Sequence, residues 1–179
     1  MIHSTINIRQ EQPEDYEAIA HIYTEAFGGA DEATLVQRIR TSDRYIPELA
    51  LVAEWDDLVV GHLMLSYADL VGKDTFKILI LAPMGVLPEM QNRAIGSSLM
   101  RRAVAIADDR GEPLINLLGH PTFYPRFGFK KASMYGIEPP FSFPDDAFMV
   151  LLLGTYQSHL RGKLRYPSAF DALLSEAEV

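Results

Sequence analysis

The stretch from Phe76 to Leu118 constrains the fold more than any other part of the chain. An apolar strand, Phe76 to Leu81, leads through a small-residue segment at Met84 to Ser97 into a helix, and the chain leaves that helix into a second apolar run, Leu114 to Leu118. On the helix, Ile95, Leu99, Ala103 and Ile106 recur on one face, while Arg101, Arg102, Asp108 and Asp109 point away from it. Gly111 and Pro113 stop the helix. The run Leu114 to Leu118 is almost wholly apolar, which suits a strand inside a sheet beside a parallel neighbour rather than one with a solvated face. Strand, helix and strand in this order make the chain an α/β protein.

The flanking segments fit around that unit. Ile6 to Gln10 reads as a short strand, and Pro13 opens a helix on which Tyr16, Ile19, Ala20, Tyr23 and Phe27 share a face before Gly28 and Gly29 end it. Asp31 to Arg40 predicts a second helix, capped by Asp31, with Leu35, Val36 and Ile39 inward. Leu49 to Glu54, Val59 to Leu70 and Phe76 to Leu81 are three consecutive antiparallel strands, joined by turns at Asp56-Asp57 and Gly72-Lys73-Asp74. Gly61 marks a bulge or a close packing point. Downstream, Phe129 to Met134 and Ala147 to Leu153 are expected as strands with a loop at Pro139 to Pro144, and Tyr166 to Leu174 has helical spacing after Pro167 and Ser168.

With 179 residues, 48% of them hydrophobic, the chain is long enough to bury one core, and its prolines and glycines mark no linker, so one domain over residues 1–179 is expected. No apolar run reaches the roughly 18 residues of a membrane span, and Met1 to Gln10 lacks the pattern of a signal peptide, which points to the cytoplasm. The chain has no cysteine, so disulfides, thiolate metal sites and a cysteine nucleophile are excluded. A net charge of −8 without a basic block argues against nucleic acid as a partner. His3, His21, His62, His120 and His159 lack the spacing of a helical metal pair, so no metal is expected.

The chemistry concentrates where the strand meets the helix, at Val86-Leu87-Pro88-Glu89-Met90-Gln91-Asn92-Arg93-Ala94-Ile95-Gly96-Ser97. Free amides at a helix N-terminus and the positive end of its dipole attract an anion, and small residues let a phosphate approach the backbone. A purely structural turn would also use a glycine here. The chain has neither G-x-x-x-x-G-K-[ST] nor G-x-G-x-x-G nor G-x-S-x-G, so a nucleotide P-loop, a dinucleotide fold and a hydrolase serine are all unsupported.

The segment resembles the GNAT superfamily of N-acetyltransferases, whose pattern V-x-P-x-x-Q/R-x-x-G-x-G/A is met by Val86, Pro88, Gln91 and Gly96, with Ala94 standing where the first glycine is usual. The resemblance implies acetyl-CoA as co-substrate, held by Met84, Val86, Gln91, Asn92, Arg93, Ala94, Ile95, Gly96 and Ser97: backbone amides around Arg93 to Ser97 for the pyrophosphate, Met84 and Val86 for the pantetheine arm. A second match is His120-Pro121-Thr122-Phe123-Tyr124-Pro125-Arg126-Phe127-Gly128-Phe129, in which Tyr124 takes the place of the tyrosine that protonates the departing thiolate. With the Phe141 to Phe148 loop and the terminal Tyr166-Pro167, it resembles a bacterial branch of predicted N-acetyltransferases over most of the chain. The implied fold is a mixed, mostly antiparallel sheet of about seven strands, splayed in the middle and flanked by helices on both faces.

The implied reaction is direct attack of a primary amine, small molecule or peptide, on the thioester. Glu89, Glu54, Asp69 and His120 are candidate bases, and none is singled out by its surroundings in sequence. Arg101 and Arg102 face either the coenzyme's 3'-phosphate or plain solvent, and His62 either the acceptor cleft or a partner within the sheet. Two other readings stand beside the enzyme: a coenzyme-binding sensor without turnover, and an interaction domain acting through the aromatic loop Phe141 to Phe148. The apolar C-terminal strand and tail offer a surface for a homodimer.

Overall fold

The computed structural model describes residues 5–177; His3 and the leading residues of the Met1 to Gln10 segment lie outside them. In chain order the elements are β1 (Ile6–Gln10), α1 (Tyr16–Phe27), α2 (Asp31–Arg40), β2 (Ala50–Trp55), β3 (Leu58–Val71), β4 (Thr75–Val86), α3 (Ile95–Asp109), β5 (Leu114–Leu118), β6 (Lys130–Lys131), β7 (Ile137–Glu138), β8 (Phe148–Leu152), β9 (Gly162–Arg165) and α4 (Asp171–Ala177). One sheet carries β1, β2, β3, β4, β5, β8 and β6 side by side, while β9 pairs with the far end of β3 and with β7. The pairings are antiparallel except β4 with β5 and β7 with β9.

The nine strands exceed the seven expected because β6 and β7 have two residues each and β9 four, too few to show an alternation in sequence. The strand expected over Phe129 to Met134 shrinks to Lys130–Lys131, after which a 3-10 turn at Ala132–Tyr135 buries Ala132 and ends at Gly136 with φ 69°. Asp31 is not the cap of α2; Ala30 is, without a side-chain bond, and Asp31 is the first helical residue, where its charge still opposes the positive helix end. On α1 the buried face is Ile19, Ile22 and Tyr23, whereas Tyr16 and Phe27 are 38% and 52% exposed.

Two-residue alternation in the strands sorts the core into two layers. Ala50, Val52, Met64, Ile78 and Ile80 face α1 and α2 on one side; Leu51, Ala53, Leu63, Leu65, Leu79 and Leu81 face α3 on the other. Gly61 serves both roles anticipated for it. A register shift lies beside it, and a Cβ there would stand 3.0 Å from Ile95 Cγ2 and 3.2 Å from Leu99 Cδ1, so its missing side chain lets α3 settle on the sheet. The turn at Asp56-Asp57 has φ 50° and 64°, the conformation that matches a tight hairpin to the sheet twist.

A buried polar cluster ties the first layer together. Glu11, 3% exposed, accepts two hydrogen bonds at 2.8 Å from Arg40, one at 2.8 Å from Tyr45 Oη, and lies 2.8 Å from His62 Nε2. His62 Nδ1 in turn lies 2.7 Å from Tyr23 Oη. His62 is thus a satisfied strand histidine rather than one facing an acceptor, and burial pushes its pKa down. Burial opposes ionisation of Glu11, but the hydrogen bonds and charge interactions with Arg40 and His62 together outweigh it and bring the carboxyl to about 2.

Glu11→Ala leaves Arg40 buried without its anion and is expected to lose about 3–5 kcal/mol, read from urea unfolding at pH 7. Since Glu11 titrates at about 2 folded against 4.5 as an ordinary carboxyl, its contribution is complete above the latter value and is lost as pH falls towards the former. The variant should therefore lose less stability than the parent over that acid range; equal acid sensitivity would exclude Glu11 as its source.

Candidate active site

The sheet opens where β4 and β5 part. They pair only at Leu79 with Ile115 and Ile80 with Asn116; beyond this β4 continues along β3 to Val86, while β5 stays with β8 to Leu118. Opposite Met64, the register of β4 slips between Leu81 and Met84, turning its end outward. The gap is a cleft of about 1030 Å³. Its lining comes from β4, the loop into α3, the start of α3, the segment Leu118 to Arg126, α1, α2 and the C-terminal tail.

Of the residues expected to hold the coenzyme, Met84, Val86, Gln91, Asn92, Ala94, Ile95, Gly96 and Ser97 all line this cleft. Arg93 does not; its guanidinium lies 5.8 Å from the Trp55 ring centroid. The first amide of the α3 ladder is that of Ser98, which donates to Ala94 O at 2.9 Å, so the amides of Ile95, Gly96 and Ser97 precede it and remain available to an anion. Gln91 turns back, its Nε2 donating to Val86 O at 3.2 Å, and so closes the loop on itself.

Asn92 and Ala94 have φ 61° and 62°. Ala94 thus holds a left-handed conformation that glycine adopts freely, at a cost of about 1–2 kcal/mol for the methyl group. Gly96, by contrast, is helical, and a Cβ there would meet Phe123 Cζ only at 3.8 Å and Val86 Cγ2 at 4.0 Å. Its value is space in the cradle, not backbone freedom.

Tyr124 lines the same cleft, at the start of a 3-10 turn that Gly128 ends with φ 95°. Its ring meets Phe123 edge-on at 5.0 Å and Phe129 at 5.8 Å. Burial alone pushes its phenol up to about 12, and its hydroxyl has no hydrogen-bond partner among the described residues. A Cβ on Gly119 would collide with the Tyr124 ring, so that glycine seats the tyrosine; nothing in the local pattern pointed to it.

The four candidate bases separate. Glu54 is held by Asn7 and Arg9, and Asp69 by Arg44 and Arg165; neither lines the cleft, nor does Glu89. His120 lines it and is exposed. Arg101 stacks on Phe127 at 5.6 Å and Arg102 is exposed, so neither reaches the cleft, whereas Arg126 does. The Phe141 to Phe148 loop is not part of it. Three lining residues had no sequence signal of a site: Glu32 on α2, Phe27 at the end of α1, and Tyr166, whose phenol burial also pushes up to about 12. They meet at one mouth only because the helices and tail fold over the same end of the sheet.

The described residues contain no cluster of His, Cys, Asp or Glu suited to a metal ion, and no helix long and apolar enough to cross a membrane. Residues 7–132 match the model of an acetyltransferase (GNAT) domain. The chain is 32% identical to the uncharacterized N-acetyltransferase YjhQ of Escherichia coli over 168 residues, covering 91% of this chain and 92% of the relative. Among solved structures, the GNAT family N-acetyltransferase YhbS of Escherichia coli in complex with CoA superposes with a TM-score of 0.86 at 25% identity, covering 96% of this chain and 94% of that one. A GNAT family acetyltransferase from Brucella melitensis in complex with acetyl-CoA does so with a TM-score of 0.77 at 30% identity, covering 94% and 100%. Parted strands, a helix with open amides between them, and kinship over nearly the whole length agree: the chain belongs to the GNAT family of acetyltransferases.

Proposed function

We propose that the protein transfers an acetyl group from acetyl-CoA to a primary amine by direct attack, with Tyr124 as general acid. The observation that carries this reading is one cleft in which the open amides of Ile95, Gly96 and Ser97 and the unpartnered phenol of Tyr124 come together. Relatives solved with CoA and acetyl-CoA support the choice of co-substrate. The cleft, about 1030 Å³, stands at the upper end of the roughly 300–1,000 Å³ usual for small-molecule sites, room for a coenzyme arm and an acceptor together.

Acetyl-CoA supplies an activated thioester carbonyl. The α3 amides and dipole would hold its pyrophosphate, and the small Gly96 lets the phosphate oxygens reach them. Met84 and Val86, at the outward end of β4, offer backbone groups to the extended arm. The neutral amine attacks the thioester carbonyl, and the carbon–nitrogen bond forms as the carbon–sulfur bond breaks. Tyr124 donates its proton to the leaving sulfur, and the proton shed by the amine passes to solvent, from which the phenol is replenished. Burial pushes the phenol up to about 12, so at neutral pH it is fully protonated and holds a proton to give to the developing thiolate. Without a cysteine in the chain, an acyl-enzyme through a thiol is excluded, which favours direct attack.

Tyr124→Phe should lower kcat about 100-fold or more while the acetyl-CoA Kd, by calorimetry, stays within about threefold. Gly119→Ala should do much the same by displacing the ring. Unchanged turnover in Tyr124→Phe would remove the tyrosine from the mechanism. Because burial pushes the Tyr124 phenol up to about 12, kcat should show no alkaline fall up to pH 10 in a pH–rate profile.

Gly96→Glu has room to fold, and its carboxylate would enter the cradle; acetyl-CoA binding should fall at least 100-fold with little change in Tm. If the parent protein bound no acetyl-CoA, the transferase reading would fail at its first step.

A further inference from the structure

The side of the cleft lined by the helices and the tail has a chemistry of its own. Glu32 is the single carboxylate among its described lining residues, and it makes no ion pair or hydrogen bond within the described chain. Around it the lining is apolar: Phe27 from α1, Leu35 one turn further along α2, and Phe170, Leu173 and Leu174 from the C-terminal tail. Tyr166 stacks on Phe170 at a centroid separation of 5.1 Å, extending the aromatic wall. The tail packs on α2, which brings this wall to the helix that carries Glu32. Glu32 and Tyr124 line the same cleft, so an amine drawn towards the carboxylate enters the cavity that holds the phenol.

A cation entering the cleft meets in Glu32 the one carboxylate among the described lining residues, and an apolar wall gains most where a hydrocarbon or ring covers it. A polyamine would leave its further ammonium groups against Phe170, Leu173 and Leu174 without a partner. A peptide amine with a polar side chain would do the same with its amides. The combination of one anion and one apolar wall suits a monoamine with a hydrophobic body.

We infer that the acceptor is a small primary monoamine bearing an aromatic or branched aliphatic group, its ammonium drawn in by Glu32 and its apolar body laid against the C-terminal tail. This rests on the transferase reading above and names the substrate class of the same site. Glu32 is a specificity-determining residue in it.

The test uses the full chain, saturated with CoA, and calorimetry with three probes: 2-phenylethylamine, its uncharged counterpart 2-phenylethanol, and ethanolamine. CoA binding is measured first, so that its failure overturns the transferase reading separately from this one. The expected order of affinity is 2-phenylethylamine above both others by tenfold or more. Glu32→Gln should weaken 2-phenylethylamine at least tenfold, leave 2-phenylethanol unchanged within twofold and leave CoA unchanged. A charge that merely stabilised the start of α2 would not distinguish the amine from the alcohol. Leu173→Ser should weaken 2-phenylethylamine and not ethanolamine. Equal affinity for the amine and the alcohol, no effect of Glu32→Gln, or no binding of 2-phenylethylamine by the CoA-loaded protein would each overturn the inference.

Discussion

Two residue pairs hold β4 and β5 together, and almost everything distinctive about this molecule follows from their parting. A sheet that stayed paired would leave no opening at its centre, and α3 would then simply cover a closed surface. Because the strands separate, backbone on both sides loses its ladder partners, and the start of α3 points its own open amides at the same gap. Unpaired backbone in a half-dry cleft is unfavourable by itself. On the proposed reading an extended, anionic molecule supplies the missing partners, and the open helix end and the split sheet then form one site.

The clamp at Glu11 works on the other side of the sheet. It joins the end of β1 to α2 through Arg40, to β3 through His62 and, one step on, to α1 through Tyr23. Tyr23 also rests on Gly85, where a Cβ would stand 3.0 Å from its ring. The helices that carry Phe27 and Glu32 are thereby referenced to the strand that carries Met84 and Val86. A buried carboxylate with three partners contributes less through its net energy than through the single arrangement that satisfies it.

How much of this was legible depended on whether an element imposes its own period. The long strands, the alternation that sorts Leu79 from Ile80 and the stripe of α3 are properties of the local pattern, and the folded chain follows them. The segments proposed for the cradle and Tyr124 were also legible as candidates, because strand end, small-residue turn and aromatic turn are each contiguous, and they line one cleft. The pairings of β7 and β9 were not legible, since two to four residues cannot show a period. Nor were Gly119, Glu32 and Tyr166, whose places depend on what the distant chain brings alongside. The bases suggested from charge alone, Glu54 and Asp69, were already committed to Arg9, Arg44 and Arg165 by pairings across the sheet.

Ala94 shows how a local exception is absorbed, since the α3 stripe of Ile95, Leu99 and Ala103 buries enough surface to hold one methyl group in a left-handed turn. The Glu11 clamp reaches further than stability. By fixing α1 and α2 during folding, it meets in advance the entropy cost that an incoming acceptor would otherwise incur to organise its own walls. For the proposed acceptor site, discrimination is then expressed chiefly in how long each acceptor stays, while the rate of arrival varies little, as in a preformed mould rather than a closing hand.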